Sequence, residues 1–367
     1  MRIGIIGAGI IGLSCARECR KIFPNAEIIV FEKNAAAFSE NSIHNSGVVH
    51  SGIHQKLGSL RSSFAHTGSK LLTDYCQQNE ILCKPTAMLI AIAPADMPSL
   101  IREASILFRL WENSRRQRIR PPKVVFKKDI YALEPNISAI CGLLLSGIWV
   151  IDQKSLGTQL VREMEGIGVD IRLRTEIKSI SFNGEYAVFG TDTAEESVTH
   201  VINSAGLHAD IIARMAGFDA PEISPVRGEY YEVFSDKKNL IHSHLIYPAL
   251  PPGHPVKGIH FTKTADGRLL IGPNATAWDR REDDASDQSP KKEFVDAVKK
   301  FLPSLTPEDI QWAYSGIRPK IGGSAEEHDF IVRREQSRIP FVNLIGIESP
   351  GFTASFALAE YAAGLLL

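Results

Sequence analysis

Cysteine, net charge and long apolar runs are all scarce in this sequence. Five cysteines occur among 367 residues and none forms a Cys-x-x-Cys pair, which argues against a disulfide scaffold and a zinc site. The net charge is −1, from 41 basic and 42 acidic residues, and predicts no nucleic-acid partner. The longest apolar run, residues 142–151, ends at Asp152 and is shorter than the roughly 18 residues that span a bilayer.

The composition that remains is typical of a globular protein in a reducing compartment. Hydrophobic residues make up 44% of the chain and charged residues 23%, and the length suits two joined domains. Cys15 and Cys19 lie on one face of a predicted helix, where we expect small core residues. We predict a cytoplasmic protein without a leader segment. A peripheral contact on the inner membrane face stays open, because residues 115–120 are basic and residues 357–367 apolar, although a solvated face and a core helix are favoured.

The first 33 residues have the pattern of a dinucleotide-binding unit. An apolar strand leads into Gly7-Ala8-Gly9-Ile10-Ile11-Gly12, then into a helical pattern and a second apolar strand that ends at Glu32. Gly7 permits a tight turn, Gly9 a close backbone approach to a pyrophosphate, and Gly12 close helix–strand packing. Glu32 suits an adenosine ribose and disfavours a 2′-phosphate. An ordinary Gly-rich turn is the alternative. The expected cofactor-binding residues are Gly7, Gly9, Ile10, Ile11, Gly12, Glu32 and Lys33.

A polar, Gly-bearing loop, residues 39–52, follows the second strand, where a nicotinamide-binding domain would begin another βα repeat. Such a loop suits an extended FAD. Residues 44–53, His-Asn-Ser-Gly-Val-Val-His-Ser-Gly-Ile, and the later Gly58-Ser59-Leu60 resemble the FAD-dependent D-amino-acid-oxidase superfamily. Within it the chain is most similar to the L-2-hydroxyglutarate dehydrogenase and oxidase-like branch, with glycerol-3-phosphate oxidases as cousins. The resemblance covers nearly the whole chain.

The resemblance implies a mixed α/β (α+β) fold, in which a Rossmann-like FAD-binding domain carries an inserted antiparallel-sheet substrate domain. It divides the chain into a discontinuous FAD-binding domain, residues 1–84, 152–218 and 318–367, and a substrate-binding domain, residues 85–151 and 219–317. No cysteine lies where covalent flavins of this superfamily are anchored, so the resemblance implies non-covalent FAD. The further cofactor contacts that it implies are His44, Asn45, Ser46, Gly47, Val48, Ile177, Ser204, Ala205, Gly206, Gly316, Pro350, Gly351, Phe352 and Thr353.

Hydrophobic periodicity predicts where the main elements lie. Helices are expected over residues 60–78, 97–115, 155–166, 291–302 and 352–366. Strands are expected over residues 87–93, 142–151, 169–173, 177–182, 226–234, 241–247, 260–263, 269–271 and 341–345. Asn183-Gly184 and Ala265-Asp266-Gly267 are typical of hairpin turns, and residues 275–290 are expected to form an exposed loop.

Two histidines are candidate general bases for removing a hydroxyl or amine proton, because imidazole titrates near neutral pH. His50 lies just beyond the predicted flavin loop, and in the glycerol-3-phosphate oxidase cousins a matching histidine is assigned this role. A structural histidine is the alternative. His260, on a predicted substrate-domain strand, is the second candidate base or a substrate donor. His54-Gln55 departs from the branch, whose members commonly have two aromatic residues there, and this leaves the substrate open.

Several cationic or polar side chains are candidates for holding the acid group of a substrate. Arg318, in a Gly-Ile-Arg-Pro segment that resembles the family, is expected to bind a carboxylate with two parallel hydrogen bonds and to act in catalysis. Strand alternation places Arg227 and Glu229 on one face, which makes a structural ion pair as plausible as substrate binding. Tyr230, Lys320 and Ser349 complete the expected substrate-binding set.

No metal is expected. His242 and His244 share a face of a predicted strand, but no third ligand lies near them in the sequence.

The leading functional expectation is FAD-dependent oxidation of a small 2-hydroxy acid, similar to L-2-hydroxyglutarate, to the 2-oxo acid. Amine oxidation of the D-amino-acid or glycine oxidase type and glycerol-3-phosphate oxidation are the enzymatic alternatives. A flavin-carrying electron-transfer module without turnover is the non-enzymatic one. The partner would be a small carboxylate, and the electron acceptor stays open between oxygen, a quinone and an electron-transfer protein.

Overall fold

The computed structural model describes residues 1–254, 258–322 and 328–367. The α-helices in these ranges are α1 Ile10–Ile22, α2 Leu60–Gln78, α3 Met97–Arg116, α4 Lys127–Leu133, α5 Gln153–Gly166, α6 Ala209–Met215, α7 Lys291–Val298 and α8 Gly351–Gly364. The strands are β1 Arg2–Ile6, β2 Glu27–Phe31, β3 Val48–Val49, β4 Cys83–Ile92, β5 Lys123–Phe126, β6 Cys141–Ile151, β7 Asp170–Arg172, β8 Ser179–Asn183, β9 Tyr186–Gly190, β10 Glu195–Val198, β11 His200–Asn203, β12 Ile223–Val233, β13 Leu245–Pro248, β14 His260–Lys263, β15 Leu269–Gly272, β16 Thr276–Ala277, β17 Ile310–Ile321, β18 Ile331–Arg334 and β19 Phe341–Ile345.

The first sheet has six strands in the order β18-β19-β11-β1-β2-β7, and all of its pairings are parallel except β18–β19. Its central strands read as continuous apolar runs because both faces are buried. Ile3 and Ile5 of β1, for example, are fully buried, and α1 and α8 contribute to the same core. Residues 7–12 therefore leave the carboxyl end of a central strand, where open α/β sheets bind their ligands.

The second sheet has ten strands and carries most of the chain between the parallel strands. The path runs β16-β12-β15-β14-β13-β4-β6-β3, with β17 paired to β12 and β5 paired to β6. Its longest ladder is antiparallel β12–β17, which extends from Ile223 opposite Ile321 to Val233 opposite Ile310. The two-residue strand β3 pairs with the end of β6, so the polar loop after β2 runs directly into this sheet.

A third sheet, β10-β9-β8, packs against the first sheet. The predicted turn at Asn183-Gly184 is confirmed, since Asn183 of β8 pairs with Tyr186 of β9 and Gly184 has a φ of 60°. The hairpin predicted at residues 265–267 is also confirmed, because β14 and β15 pair antiparallel from His260 opposite Gly272 to Lys263 opposite Leu269.

The predicted bounds of the helices and strands agree best with the structure where the apolar periodicity is strong. Helix α2 and strands β14 and β19 have the predicted bounds. Helix α7 ends at Val298 rather than at residue 302, because Phe301 and Leu302 turn into the core and Pro303 disfavours a helical residue before it. The short helix α4 was not predicted.

The strand predicted over residues 241–247 begins only at Leu245. The backbone N–H groups of His242, Ser243 and His244 donate instead to the buried carboxylate of Glu134, at 2.7, 3.0 and 3.0 Å. His244 Nδ1 also lies 2.8 Å from Glu134 Oε1. Among the described residues no group of three or more potential ligands forms a metal site.

The strands of the ten-stranded sheet extend past the predicted domain boundaries at three places. Residues 48–49, 83–84 and 318–321 were expected in the FAD-binding domain, but β3, the start of β4 and the end of β17 pair within the ten-stranded sheet. The division of the chain into two domains itself stays a prediction. None of the helices in the described ranges is both long and apolar enough to cross a bilayer. The apolar closing helix α8 packs on the core, where Ala357, Leu358 and Ala359 are buried.

Helices α2 and α8 approach each other at Gly68. A Cβ built there would lie 2.5 Å from the Thr353 carbonyl oxygen and 2.8 Å from the Ala354 Cα, both of which are backbone atoms. We predict that Gly68→Ala lowers the free energy of unfolding by about 1–3 kcal/mol, because a packed helix pair must separate. Gly166→Ala, at an open position of α5, is the control and should be neutral or stabilising by up to about 1 kcal/mol. Urea unfolding of both variants measures this, and equal stabilities would contradict it.

Candidate active site

The glycine turn after β1 is shaped by close contacts that a side chain would block. Gly7 has a φ of 98°, and a Cβ on it would lie 2.6 Å from the Ser204 carbonyl oxygen. A Cβ on Gly12 would lie 1.9 Å from the Gly7 carbonyl oxygen, so Gly12 is a packing position rather than a wall of the cleft. A Cβ on Gly9 would lie 2.9 Å from Ser42 Oγ. The turn therefore has the geometry that the fingerprint predicts.

Glu32 is held at the end of β2 by two backbone donors. Its Oε2 accepts from the Ala8 N–H and its Oε1 from the Asn34 N–H, each at 2.9 Å. The neighbouring Lys33 Nζ lies 2.9 Å from Glu40 Oε1. These contacts fix the carboxylate beside the glycine turn, where a ribose hydroxyl group could donate to it.

The polar loop over residues 39–50 is held on two sides by hydrogen bonds. Ser42 Oγ accepts from the Ile10 N–H at 2.9 Å and so satisfies a first-turn donor of α1. On the other side, Asn41 Oδ1 accepts from the Ile317 N–H at 2.8 Å, and Asn41 Nδ2 donates to the Ile317 carbonyl oxygen. A Cβ on Gly316 would lie 2.5 Å from the His44 carbonyl oxygen. The loop is therefore fixed between the first helix and strand β17.

Further contacts shape the inner part of this loop. Asn45 Nδ2 donates to the carbonyl oxygens of Asn41 and Ser42, and Asn45 Oδ1 accepts from the Gly47 N–H at 2.9 Å. Gly47 has a φ of 66°, and a Cβ on it would lie 2.4 Å from the Ile151 carbonyl oxygen. Gly47 is therefore a turn and packing position. The His44 ring stacks on Tyr314 at 5.9 Å between centroids, and burial lowers its pKa.

The N-terminus of α8 meets the end of the polar loop. Thr353 Oγ1 accepts from the His50 backbone N–H at 3.0 Å, which places His50 beside the turn that begins this helix. The turn over residues 349–353 also lines the cleft. First-turn N–H groups of a helix favour negative charge, so this turn suits an anionic group.

One cleft of about 370 Å³ connects these parts. The three candidate catalytic residues, His50, His260 and Arg318, all line it, and so does Tyr230. The other predicted residues in its lining are Gly7, Gly9, Ile10, Ile11, Glu32, Lys33, His44, Asn45, Ser46, Val48, Ile177, Ser204, Ala205, Gly206, Gly316, Ser349, Pro350, Gly351, Phe352 and Thr353. Four predicted residues, Gly12, Gly47, Arg227 and Lys320, do not line it. Individual roles stay predictions.

His260 is buried on β14 with a defined orientation. Its Nδ1 lies 2.7 Å from the Gly258 carbonyl oxygen, and its ring stacks on Tyr247 at 3.7 Å between centroids. Because a carbonyl oxygen only accepts, Nδ1 carries a proton, so in the neutral imidazole the lone pair lies on Nε2. Tyr247 in turn stacks on His54 at 6.4 Å. The residue that departs from the family pattern therefore belongs to the aromatic stack beside the cleft.

Arg318 projects from β17 over a position without a side chain. A Cβ on Gly228 would lie 2.7 Å from Arg318 Nη2, so this glycine leaves room for the guanidinium group. Arg318 Nη2 donates to the Asn274 carbonyl oxygen at 3.1 Å. Burial raises the pKa of the nearby Tyr230 to about 12, an effect that the positive charge of Arg318 opposes. Tyr230 is therefore a neutral phenol at physiological pH.

Near Arg318 lies a charge cluster that the sequence interpretation missed, and two of its members, Arg61 and Glu348, line the cleft. Glu348 Oε1 lies 2.8 Å from Arg61 Nη2 and 3.3 Å from Lys320 Nζ, and all three side chains are buried. Burial acts to raise the pKa of Glu348, but Arg61 and Lys320 hold that pKa below its ordinary value. Arg318 also lies close enough to lower the pKa of the same carboxylate. Lys320, expected to bind substrate, contacts Glu348 instead.

Arg227 lies on the opposite face of β12 from Tyr230 and does not enter the cleft. It is fully buried, 3.1 Å from Glu229 Oε1 and 2.7 Å from Asp283 Oδ1. Its Nη2 also donates to Ser315 Oγ at 2.9 Å. Since its guanidinium group is used by these partners, the structure favours the structural ion pair over substrate binding for Arg227.

The sequence interpretation missed several polar residues of the cleft, among them Asn41, Ser42, Arg61, Tyr247, His254 and Glu348. Asn41 and Ser42 lie in the polar loop, and Arg61 directly follows the family-like Gly58-Ser59-Leu60, so local signals for them existed. Glu348 lies within the turn that was predicted to face the cofactor. Tyr247 and His254 had no signal, because they reach the cleft only through the pairing of distant strands.

Comparison with known proteins agrees with this geometry. The model of the family described as FAD dependent oxidoreductase matches residues 2–365. The L-2-hydroxyglutarate dehydrogenase of Salmonella houtenae is 27% identical over 350 residues, which are 86% of this chain and 81% of that protein. The L-2-hydroxyglutarate dehydrogenase of Indibacter alkaliphilus is 24% identical over 393 residues, 96% of each chain.

A solved structure is also similar over the full length. The dithionite-reduced L-alpha-glycerophosphate oxidase from Mycoplasma pneumoniae, with FAD bound, has a TM-score of 0.86 and 25% sequence identity. The likeness covers 100% of this chain and 94% of that one. It confirms the predicted fold class, a mixed α/β fold with a Rossmann-like FAD-binding unit joined to a second sheet, although that sheet is mixed rather than purely antiparallel because β4 and β13 pair in parallel.

The buried cluster around Glu348 predicts how a charge-removing substitution acts. Glu348→Gln breaks the buried ion pairs that this carboxylate makes with Arg61 and Lys320, which should cost about 3–5 kcal/mol of unfolding free energy at pH 7. Because the folded-state pKa is lowered, the carboxylate stabilises the protein above its unfolded pKa of about 4.3 and loses this effect at lower pH. The difference from wild type should therefore shrink below about pH 4.

Urea unfolding as a function of pH measures this effect. Glu360→Gln, at an exposed position on the same terminal helix, is the control and should match wild type. A Glu348→Gln protein as stable as wild type at pH 7 would contradict the assigned charge cluster.

Proposed function

The chain belongs to the family of FAD-dependent oxidoreductases, and from that premise we propose that it oxidises L-2-hydroxyglutarate, or a 2-hydroxy acid of the same class, to the 2-oxo acid. The observation that carries the proposal is the cleft whose lining joins the glycine turn to His50, His260 and Arg318. The names of the similar curated proteins, L-2-hydroxyglutarate dehydrogenase, support the same substrate class.

The residues that would hold FAD fit it by their chemistry. The glycine turn is a cradle that a Cβ would fill, Glu32 presents a carboxylate beside it, and the N-terminus of α8 lies at the far end of the lining. Backbone N–H groups of α1 suit the pyrophosphate, and those of α8 suit negative charge on the ring system. When bound, FAD supplies the two-electron acceptor for the C–H bond of the substrate.

Oxidation of the alcohol also requires that the hydroxyl proton leave. We assign its removal to the His50 imidazole, because the backbone of His50 is fixed to Thr353 at the cofactor turn. His260 is the second candidate, since the lone pair of its neutral ring lies on Nε2 and the residue lines the same cleft. The base that takes the proton ends as imidazolium and must release the proton before the next turnover.

Arg318 orients the acid group of the substrate in this proposal. Its guanidinium group suits a carboxylate bound by two parallel hydrogen bonds. The buried ion pairs of Glu348 with Arg61 and Lys320 lie beside it, since Arg318 is one of the charges that lower the Glu348 pKa. Tyr230 and Tyr247, both buried, exclude water from the same wall.

Glycerol-3-phosphate oxidation is the second candidate function. It is supported by the similarity to the Mycoplasma pneumoniae L-alpha-glycerophosphate oxidase, at 25% identity over the whole chain. An arginine binds a phosphate as readily as a carboxylate, so Arg318 serves either substrate. The aromatic residues beside His260 do not favour either the 2-hydroxy acid or glycerol 3-phosphate as the substrate.

A substrate panel under anaerobic conditions tests the proposal. We expect L-2-hydroxyglutarate to bleach the visible flavin bands of the purified holoenzyme, with the D-enantiomer much slower. Bleaching by glycerol 3-phosphate alone would move the function to the second candidate, and bleaching by glycine or D-amino acids alone would reject hydroxy-acid oxidation.

Replacement of His50 tests the base. For His50→Gln we predict a flavin reduction rate lower by roughly 10²–10⁴-fold, the usual contribution of a general base, with FAD still bound. Stopped-flow reduction measures this rate, and the ratio of flavin to protein absorbance checks cofactor retention. His260→Gln is the paired variant, and it should slow reduction less. A normal reduction rate in His50→Gln would show that His50 is not the base. The role would then pass to His260 if His260→Gln is slow, and neither histidine would be the base if both variants are normal.

Replacement of Arg318 by lysine keeps the charge but removes the planar pair of donors. We predict an increase in KM of about 10–100-fold, equivalent to losing a charge-assisted hydrogen bond, with a smaller change in kcat. Arg268→Lys, at a partly exposed arginine in the same sheet, is the control and should keep the wild-type KM. An unchanged KM in Arg318→Lys would show that the acid group binds elsewhere.

A further inference from the structure

Helix α3 has apolar residues on two faces, although only one of these faces packs against the rest of the protein. Its inner face packs on the ten-stranded sheet through Leu107 and Leu110, which are buried in the core of that sheet. On the outer face Met97, Ile101 and Phe108 are 68%, 64% and 63% exposed. These three positions are four and seven residues apart, so they form one stripe along the helix. The stripe is not explained by the packing of α3.

Strand β5 adds two exposed apolar side chains on the same side of the sheet. Val124 and Phe126 are 51% and 62% exposed, whereas Val125 between them is buried on the other face. Val124 pairs with Leu143, a member of the cluster against which α3 packs. Val124 and Phe126 therefore point to the side of the sheet that α3 covers. We call this surface, formed by Met97, Ile101, Phe108, Val124 and Phe126, the α3–β5 face.

The segment that forms this face is strongly basic in a nearly neutral protein. Residues 97–128 contain nine Lys or Arg and two Glu, a net charge of +7, whereas the whole chain has a net charge of −1. One of the two acids, Glu112, is paired with Arg116 at 2.6 Å, and the other, Glu103, lies 3.6 Å from Lys300. Arg102 and Arg109 are exposed beside the apolar stripe. The positive charge is therefore concentrated where the apolar side chains are exposed.

We propose that the α3–β5 face docks on an anionic lipid bilayer, with α3 lying in the plane of the interface. Large apolar side chains surrounded by Lys and Arg are the pattern of peripheral interfacial helices, which bury their apolar side chains at the acyl boundary and bind anionic headgroups with the basic ones. The apolar stripe lies on the convex outside of a helix about 30 Å long, which suits a flat surface better than a groove. An acidic protein is the competing occupant.

The docking helix is connected to the active site by its opposite face. Asn113 Nδ2 donates to the carbonyl oxygens of Ile53 and Gln55, at 2.7 and 2.9 Å, and Gln117 Nε2 donates to Gln55 at 2.8 Å. These bonds hold the loop that follows His50. The loop therefore lies about one helix diameter, roughly 10 Å, behind the docking face. Docking would bring this side of the cleft close to the membrane surface.

Vesicle flotation of the FAD-loaded full chain tests the proposal independently of any substrate. We expect binding to vesicles that contain phosphatidylglycerol at low salt, and binding at least about tenfold weaker to phosphatidylcholine alone or at high salt. Ile101→Gln with Phe108→Gln should weaken binding at least about tenfold, and so should Arg102→Glu with Arg109→Glu. Phe126→Gln is a further variant, used if the first pair loses FAD.

The matched control is Phe182→Gln with Tyr186→Gln, two exposed aromatic residues on the three-stranded sheet, which should bind as wild type does. Absence of flotation with phosphatidylglycerol vesicles at low salt would overturn the proposal. Flotation that the α3 variants leave unchanged would overturn it as well, and so would binding to an acidic protein without binding to vesicles.

Discussion

The structure depends on the attachment of one polar loop to a distant strand. The Asn41 side chain bonds both backbone groups of Ile317, and Gly316 lets the His44 carbonyl oxygen approach the same strand. The loop is thereby fixed between the helix that follows the glycine turn and the strand that carries Arg318. Without this attachment the cofactor-binding unit and the ten-stranded sheet would each be complete, but their functional groups would not share a cleft.

Charge is distributed along the cleft in a way that suits two different ligands. At one end a single carboxylate, Glu32, is held by backbone donors beside the glycine turn. Elsewhere in the lining Arg318 lies near Glu348, which forms buried ion pairs with Arg61 and Lys320. Burying such a cluster is costly, and apolar packing often stabilises a protein as well. Its place beside the cleft gives it a functional explanation, because it holds the Arg61 guanidinium group in the lining that also contains Arg318.

Local patterns in the sequence predict the parts of the molecule that depend on local chemistry. The glycine fingerprint places the cofactor turn, and helical periodicity gives the bounds of α2. Long-range pairing is where such prediction fails. Arg61 and Glu348 are 287 residues apart and have no pattern in common, so their ion pair could not be inferred. The choice between substrate and ion pair for Arg227 depends on Asp283, which lies in a loop. The strand predicted over residues 241–247 is also shorter in the structure because of a distant residue. The carboxylate of Glu134 accepts hydrogen bonds from the backbone N–H groups of residues 242–244.

The most direct test is a crystal structure of the holoenzyme with 2-oxoglutarate, the product expected from L-2-hydroxyglutarate. Our account predicts the FAD pyrophosphate on the glycine turn at residues 7–12 and a ligand carboxylate on the Arg318 guanidinium group. His50 should lie within hydrogen-bond reach of the ligand's 2-oxo oxygen. A ligand bound away from Arg318, or a cofactor that leaves His50 outside the reacting region, would contradict the claim that one cleft serves both.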